Sequence, residues 1–378
     1  MLPLEGVRVL DLSRVLAGPY ATMVLADLGA DVLKVEHPER GDDTRHWGPP
    51  FAGGESAYFL SVNRNKRSVG LDLKDSGDLE RVKSLAAGAD VLIENWRRGA
   101  LEKLGLGHEA LREANPGLIY CSITGFGPGP DQDRPGYDFL VQARGGIMAI
   151  TGQPDGGPTK VGVAISDIVC GLYASNAVLA ALHRRSVTGE GARLEVPLFE
   201  STLAWLANRG QEFLVGGVDT GLIGNAHPSI VPYQTFEASD KPLVVAVGND
   251  TQFANLCRAI GRPELAGDER YATNPDRVAN REELVAELQK EFGKRTADEW
   301  TGEIRGAGVP CGPVNTLADV FRDEHVLGSG MLQALDHPSA GTIELLASPL
   351  LVDGARLPIR RPPPTLGQHT KGAEWESG

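Results

Sequence analysis

Residues 7–36 read VRVLDLSRVLAGPYATMVLADLGADVLKVE, and this stretch decides the fold. Val7–Leu12 is a mostly apolar run with the character of a buried strand. Gly18-Pro19 then opens a helix, because proline suits the first helical position. Tyr20, Val24 and Leu28 recur every four residues and give that helix one face. Gly29 stops it, and Asp31–Glu36 is the next strand. The unit is βαβ.

Outward from this unit the alternation continues. Ser68–Leu73 reads as a strand, Asp75–Ala87 as a helix and Asp90–Glu94 as a strand. A short helix near His108–Glu113 precedes a strand at Leu118–Thr124. Ser166–Arg185 is a long helix that begins acidic and ends basic, as the helix dipole favours. A strand at Arg193–Pro197 and a helix over about Glu200–Val215 follow. The order predicts an α/β fold with a mostly parallel sheet covered on both faces. Ligands of such sheets bind at the carboxyl ends of the strands.

The character changes at the glycine-rich stretch Gly216–Ala226. Beyond it, Tyr233–Phe236 and Leu243–Val247 read as paired strands, and Thr251–Ile260, Arg281–Phe292 and Ala297–Gly306 as amphipathic helices. This is a second, smaller α+β domain. From about Leu332 the chain returns to strand-like segments such as Gly341–Leu346 and to a proline-rich tail at Arg361–Pro364. The expected division is 1–200 with 330–378, a linker over 201–225, and a small domain over 226–329.

The chain has 378 residues, a formal net charge of −13 and 47 glycines. That charge disfavours nucleic acid and anionic membranes as general partners, while local basic islands can still hold a small polyanion. Cys121, Cys170, Cys257 and Cys311 form no C-x-x-C pair, so neither a disulfide scaffold nor a zinc ribbon is indicated. Reduced thiols in a cytoplasmic compartment are expected. No basic-then-apolar leader and no run of 18 apolar residues is present, so neither a signal peptide nor a membrane span is expected.

The phosphate-loop, H-E-x-x-H and G-x-S-x-G motifs are absent. The turn Gly125-Phe126-Gly127-Pro128-Gly129-Pro130 follows a strand, but its prolines make it a rigid turn and not a nucleotide loop. The eight histidines do not cluster at ligand spacing, so no metal site is expected. Asn63–Arg67 and the group Arg97, Arg98 and Lys103 are the densest positive segments. They read either as solvated loops or as phosphate holders at the ligand edge of the sheet. Asp167 sits in the first turn of the long helix. It is either a cap for orphan N–H groups or an ionised, exposed carboxylate fit for nucleophilic attack. Tyr137-Asp138, after Pro135-Gly136, reads as a cap with a packed aromatic, and Gly224–Pro228 as a linker or a lid.

Several segments taken together resemble one family. They are LEGVRVLDLSRVLAGPYATMVLADLGADVLKVE, GDDTR, NRNKRSVGLDLK, ENWRRGALEKLGLG, VGVAISD, GNAHPSIVPYQTF, GVPCGPVN and RPPPTLGQHT. In this order and spacing the chain resembles the class III CoA-transferases, the family of formyl-CoA and carnitine CoA-transferases, over essentially its whole length. Within the family, GDDTRHWGPPF, SIVPYQTF and the RPPPTLGQHT tail resemble the succinyl-CoA:glutarate branch more than the formyl-CoA branch.

The resemblance implies a Rossmann-like large domain built from both termini, a smaller α+β domain and an interlocked homodimer. It implies no permanently bound cofactor, with a coenzyme A thioester as substrate. Asp167 matches the nucleophile, which would pass through an acyl anhydride and an aspartyl-CoA thioester. Leu16, Ala17, Leu71, Asp72, Leu73, Lys74, Asn95, Trp96, Lys103 and Tyr137 match CoA contacts, and the Ala17 backbone matches an oxyanion donor. A glycine-rich lid matches Gly221–His227. Lys103 and His37 stand where formyl-CoA transferase has arginines, and Leu16 where it has a glutamine. The need for a cation or donors at the distal carboxylate of a dicarboxylic acid singles out Arg45, Asn225 and His227. A racemase of the same fold needs a histidine where Gly136-Tyr137-Asp138 stands, and none is there. A CoA-binding protein without chemistry is the other alternative. Oxalate, a methylated dicarboxylate or an aromatic acid remain open as acceptors.

Overall fold

The computed structural model describes residues 1–217, 219 and 221–376. They divide into two compact units. The first comprises Met1–Ile147, Val161–Gly216 and the chain from Glu324 onward, and the second Met148–Lys160 and Gly217–Asp323.

The first unit is organised by six strands: β1 (Arg8–Asp11), β2 (Asp31–Glu36), β3 (Lys66–Gly70), β4 (Val91–Glu94), β5 (Ile119–Thr124) and β6 (Ala192–Pro197). All pairs are parallel, in the order β3-β2-β1-β4-β5-β6. Successive strand residues face opposite sides. Val9, Val32 and Val91 therefore join one core, and Leu10, Leu33 and Leu92 the other. The first core is closed by α1 (Ala17–Asp27) and by a long helix (Ile165–Thr188). The second is closed by the helices Ser76–Ala87 and His108–Ala114.

The long helix buries Cys170, Ala174, Val178 and Ala181 at three- and four-residue spacing. Gly171 makes its close approach to α1 feasible, because a Cβ there would lie 2.7 Å from the Ala17 carbonyl oxygen. Its length and composition would suffice to cross a membrane, but its buried stripe packs it as a core helix of this unit.

Strand order reverses between β1 and β4, so the loops leaving these two strands diverge and leave a crevice. The opposite constraint applies at the sheet edge. An edge strand exposes unpaired backbone groups. The C-terminal segment covers those of β3. His369 N–H donates to the Ser68 carbonyl (2.9 Å), Ser68 N–H to His369 Nδ1 (3.2 Å), and Gly70 N–H to Thr370 Oγ1 (2.9 Å).

The second unit has an antiparallel sheet of Tyr233–Glu237, Pro242–Ala246 and Cys311–Pro313. The helices Asp250–Ala259, Arg281–Phe292 and Ala297–Gly306 enclose a core around Phe236, Phe253, Leu288 and Trp300.

Several expected boundaries differ. β3 begins at Lys66 and not at Ser68, because Lys66 and Arg67 enter the sheet beside Asp11 and Asp31. The helix expected over Glu200–Val215 is two, Leu198–Ala204 and Ala207–Gly216, with Ala207 at a positive φ of 45°. Residues 201–216 are thus part of the first unit and not a linker. Met148–Lys160 belongs to the second unit, where Gly224 N–H donates to the Gly152 carbonyl (3.0 Å). Val218 and Thr220, within the expected glycine-rich stretch and linker, lie outside the described residues.

Removing the chain from Thr365 onward strips these hydrogen bonds from the β3 edge. At about 1 kcal/mol per bond, and with Trp375 lost from the second core, the expected destabilisation is about 4 kcal/mol. Urea denaturation measures it, and light scattering should reveal edge-driven aggregation; an unchanged midpoint would contradict the edge-cover role.

Candidate active site

The crevice at the carboxyl ends of the strands holds two cavities, both within the first unit. One, of about 450 Å³, is lined by Ala17, Asn95, Trp96, Gly125, Tyr137 and Asp167 among others. The second, of about 550 Å³, brings His37, Arg40, Lys74 and Lys103 around the apolar Leu71 and Leu73. Arg14 and Trp96 border both. Trp96 is held on two sides: its N–H donates to Glu94 (2.7 Å) and its indole Nε1 to the Leu12 carbonyl (2.8 Å). The Arg14 guanidinium lies 5.5 Å from the Trp96 ring centre.

Asp167 is in the first turn of the long helix, yet it caps nothing. The helix has no cap from its own N-cap residue, Ala164. Asp138, at the start of α2 (Asp138–Arg144), reaches across instead, and its Oδ1 accepts from Ser166 N–H (2.9 Å). Gln142 Nε2 fixes the other oxygen of Asp138 (2.7 Å). The capping explanation for Asp167 therefore falls away, and its carboxylate is left to the cavity. Tyr137, expected to pack as an aromatic, is 64% exposed.

Burial, and secondly the charge of Asp138, push the Asp167 carboxyl up to about 7. The Ala17 backbone N–H opposes them by favouring the ionised form. Asp167 thus sits near its midpoint at neutral pH. Ala17 is the first residue of α1, and its N–H has no partner within that helix.

The sequence-derived set divides. Asp167, Ala17, Asn95, Trp96 and Tyr137 meet at the first cavity, and Leu71, Asp72, Leu73, Lys74 and Lys103 line the second together with Trp96. Leu16 turns its side chain inward, against Met23 and Val62. Arg45 does not face a ligand. It is 7% exposed, and its guanidinium pairs with Glu36 (2.8 Å) and Glu55 (3.0 Å) while donating to the Pro364 carbonyl. Its charge is already neutralised, so it has no role left for a substrate carboxylate. Asn225 and His227 belong to the second unit. Asn225 donates to Thr235 Oγ1 (3.1 Å), and the His227 ring packs on Tyr233 while its Nδ1 accepts from Ser229 N–H (3.1 Å).

The basic segment Asn63–Arg67 is neither a solvated loop nor a phosphate holder. Arg64 pairs with Asp27 and Lys66 with Asp11 (3.3 Å), all four buried, and the buried Arg67 with the half-buried Asp31. Sequence reading missed these partners, and it missed the fully buried pair of Lys34 and Asp42 (2.9 Å). The available signal was charge at Asp11, Lys34 and Glu36 in strands that a parallel sheet buries on both faces. Among the described residues no group of three or more His, Cys, Asp or Glu side chains is placed to hold a metal ion.

The sequence profile of CoA-transferase family III matches residues 4–370. The chain belongs to that family. This CoA-transferase is 46% identical to the succinyl-CoA:glutarate CoA-transferase of Mus musculus, over 98% of its own length and 85% of the mouse protein's. It is 45% identical to the succinate–glutarate CoA-transferase of Agrobacterium fabrum, over 97% and 94% of the two chains. The crystal structure of a CAIB/BAIF family protein from Brucella suis superposes with a TM-score of 0.87 at 46% identity, covering 98% of this transferase and 97% of that chain.

The raised Asp167 pKa has a consequence for stability. A carboxyl whose folded pKa lies above its unfolded value of 3.8 makes folding less favourable as pH rises from about 4 to about 7. Asp167→Asn removes that penalty. Its melting temperature should exceed the parent's by a few degrees at pH 8, and the difference should vanish toward pH 4; equal melting curves at pH 8 would show Asp167 to be unperturbed. Arg45→Ala should instead cost about 3–5 kcal/mol at all pH values where Glu36 and Glu55 are ionised, because it leaves buried charge unpaired.

Proposed function

We propose that this enzyme moves CoA from succinyl-CoA to a dicarboxylic acid such as glutarate, by covalent chemistry on Asp167. The observation that carries the reading is a carboxylate at a helix N-terminus that caps nothing and opens into the cavity. The names of the 45–46% identical relatives support the choice of donor and acceptor.

In this reading the phosphates of CoA occupy the second cavity, where Arg40, Lys74 and Lys103 supply positive charge and His37 can donate through Nε2, its Nδ1 accepting from the backbone N–H of Glu39. The pantetheine arm passes Trp96 and Arg14 into the first cavity. An ionised Asp167 oxygen attacks the thioester carbonyl carbon, and the carbonyl becomes an oxyanion. The Ala17 N–H, in the same cavity as Asp167, is the donor proposed to meet that charge. The C–S bond then breaks, giving an aspartyl–succinyl anhydride and CoA thiolate.

The thiolate attacks the aspartyl carbonyl and expels succinate, leaving an aspartyl-CoA thioester. The acceptor carboxylate attacks that thioester and releases the thiolate again, forming a new anhydride. Attack of the thiolate on the acceptor carbonyl gives the new acyl-CoA and frees Asp167. Every step exchanges one activated acyl bond for another, so water must be kept out.

The enzyme is further proposed to be a homodimer. Leu172 and Tyr173 on the long helix and Trp205, Phe213, Leu214 and Val215 beyond it are exposed, which supports a covered face. Light scattering should give twice the 40.2 kDa mass of the chain.

The functional test incubates the enzyme with succinyl-CoA and a panel of carboxylic acids, and follows acyl-CoA exchange by mass spectrometry. Glutaryl-CoA should appear with the parent and be absent with Asp167→Ala. Exchange that survives in Asp167→Ala, or scrambling of a 2-methylacyl-CoA stereocentre without exchange, would overturn the reading. Single-turnover acylation should rise with pH to a plateau above about 7, as Asp167 ionises. Asp138→Asn should move that midpoint downward, since it removes the second cause of the shift while keeping an oxygen for Ser166 N–H.

A further inference from the structure

Between β1 and α1 the backbone is held group by group by side chains from elsewhere in the first unit. Ser13 N–H donates to Asp11 (3.0 Å), and the Ser13 carbonyl accepts from Lys34 Nζ (2.9 Å). Arg14 N–H donates to Asn95 Oδ1 (2.8 Å), and the Arg14 carbonyl accepts from Asn95 Nδ2 (2.7 Å). Val15 N–H donates to Asp42 (3.2 Å). Gly18 closes the turn, since a Cβ there would overlap the Ser13 side chain at 2.2 Å.

Val15 has φ of 70°. A β-branched residue in the left-handed region is a steric outlier, and such backbone persists only where its surroundings over-determine it. Its N–H partner is Asp42, whose ion pair with Lys34 has no exposed side-chain surface on either partner. Asp42 is itself fixed: its N–H donates to Glu36 (3.0 Å), and its Oδ1 accepts from the N–H (3.0 Å) and hydroxyl (2.8 Å) of Thr44. A buried ion pair is a weak source of stability, because desolvation offsets the attraction. Both residues lie at the wall of the second cavity, with their side chains turned away from solvent. What the pair does act on is the backbone: Lys34 holds the carbonyl of Ser13, and Asp42 the N–H of Val15. Two residues further on, α1 begins with the N–H of Ala17.

We propose that Lys34 and Asp42 are positioning residues for acyl transfer: their buried pair holds Val15 in its left-handed turn and so aims the Ala17 N–H at the oxyanion formed when Asp167 attacks. This rests on the reading of Asp167 as the nucleophile. The pair acts before chemistry, by fixing a donor where charge will develop.

The test measures single-turnover formation of the covalent adduct from succinyl-CoA by quenched intact-protein mass spectrometry, beside free-CoA affinity by calorimetry and the melting temperature. Asp42→Ala should slow adduct formation at saturating succinyl-CoA about 100-fold, the loss typical of one oxyanion donor. Asp42→Asn keeps an oxygen for Val15 N–H and should lose only about tenfold. Adding Val15→Gly to either variant should recover most of the lost rate, because glycine takes a positive φ without steric cost.

That recovery is the readout a merely structural role would not produce. Adduct formation within about threefold of the parent in both Asp42 variants, or no recovery on adding Val15→Gly, would overturn the proposal. Should Asp42→Ala not fold, Asp42→Asn with and without Val15→Gly decides by the same criteria. Asp167→Asn run in parallel should form no adduct. Full turnover in that variant would remove the nucleophile reading itself, a result that no Asp42 variant can produce.

Discussion

A charged side chain inside a doubly covered parallel sheet must be neutralised where it stands, and much of this enzyme's ligand edge follows from that constraint. Lys34 and Lys66 are fully buried, as is Asp11. Burial pushes Lys66 down to about 8 against the pull of Asp11. Burial likewise opposes charge on Asp42, yet Lys34 and the Thr44 donors hold its carboxyl at about 2. The network spans β1, β2 and β3 and the turn that enters α1. The strand ends, which in a doubly wound sheet form the ligand edge, are thereby tied to one another.

The opposite arrangement prevails at Asp167. Among the described residues no cation offsets its burial. Burial and the neighbouring Asp138 both disfavour its ionised form, and a single backbone N–H favours it. A carboxylate stabilised by a salt bridge would be a poor nucleophile, because attack would have to break that pairing. One held near its neutral-pH midpoint is charged often enough to react and is weakly solvated when it does. Asp138 does two jobs: it caps the helix in place of Asp167, and it raises the pKa of the residue it has released from capping.

The periodic elements were legible in the chain itself. Tyr20, Val24 and Leu28 marked α1, and DVLKVE and VLIE marked β2 and β4, because burial on both faces leaves an apolar run that any reader of one strand can see. Asp167 was visible as a first-turn carboxylate, but whether it capped or stood free turned on Asp138, 29 positions earlier. The basic segment Asn63–Arg67 was misread for the same reason. Its partners Asp11, Asp27 and Asp31 lie more than 30 residues upstream, and composition does not say which charges will be brought together. Arg45 showed the reverse error: a lone arginine beside a recognisable motif is, in the fold, consumed by Glu36 and Glu55.

The sequence by itself determined the βαβ order, the parallel sheet, the family and the place of Asp167 in the first turn of the long helix. These depend on local periodicity and on motifs read along the chain. Only the tertiary structure decided which charges are free and which are spent, that Val15 is held in a left-handed turn, and that Leu16 turns inward while Ala17 lines the cavity. The physical reason is that periodicity is a property of neighbours in sequence. Electrostatic pairing and backbone aim belong instead to neighbours in space, and desolvation makes each such pairing all-or-none.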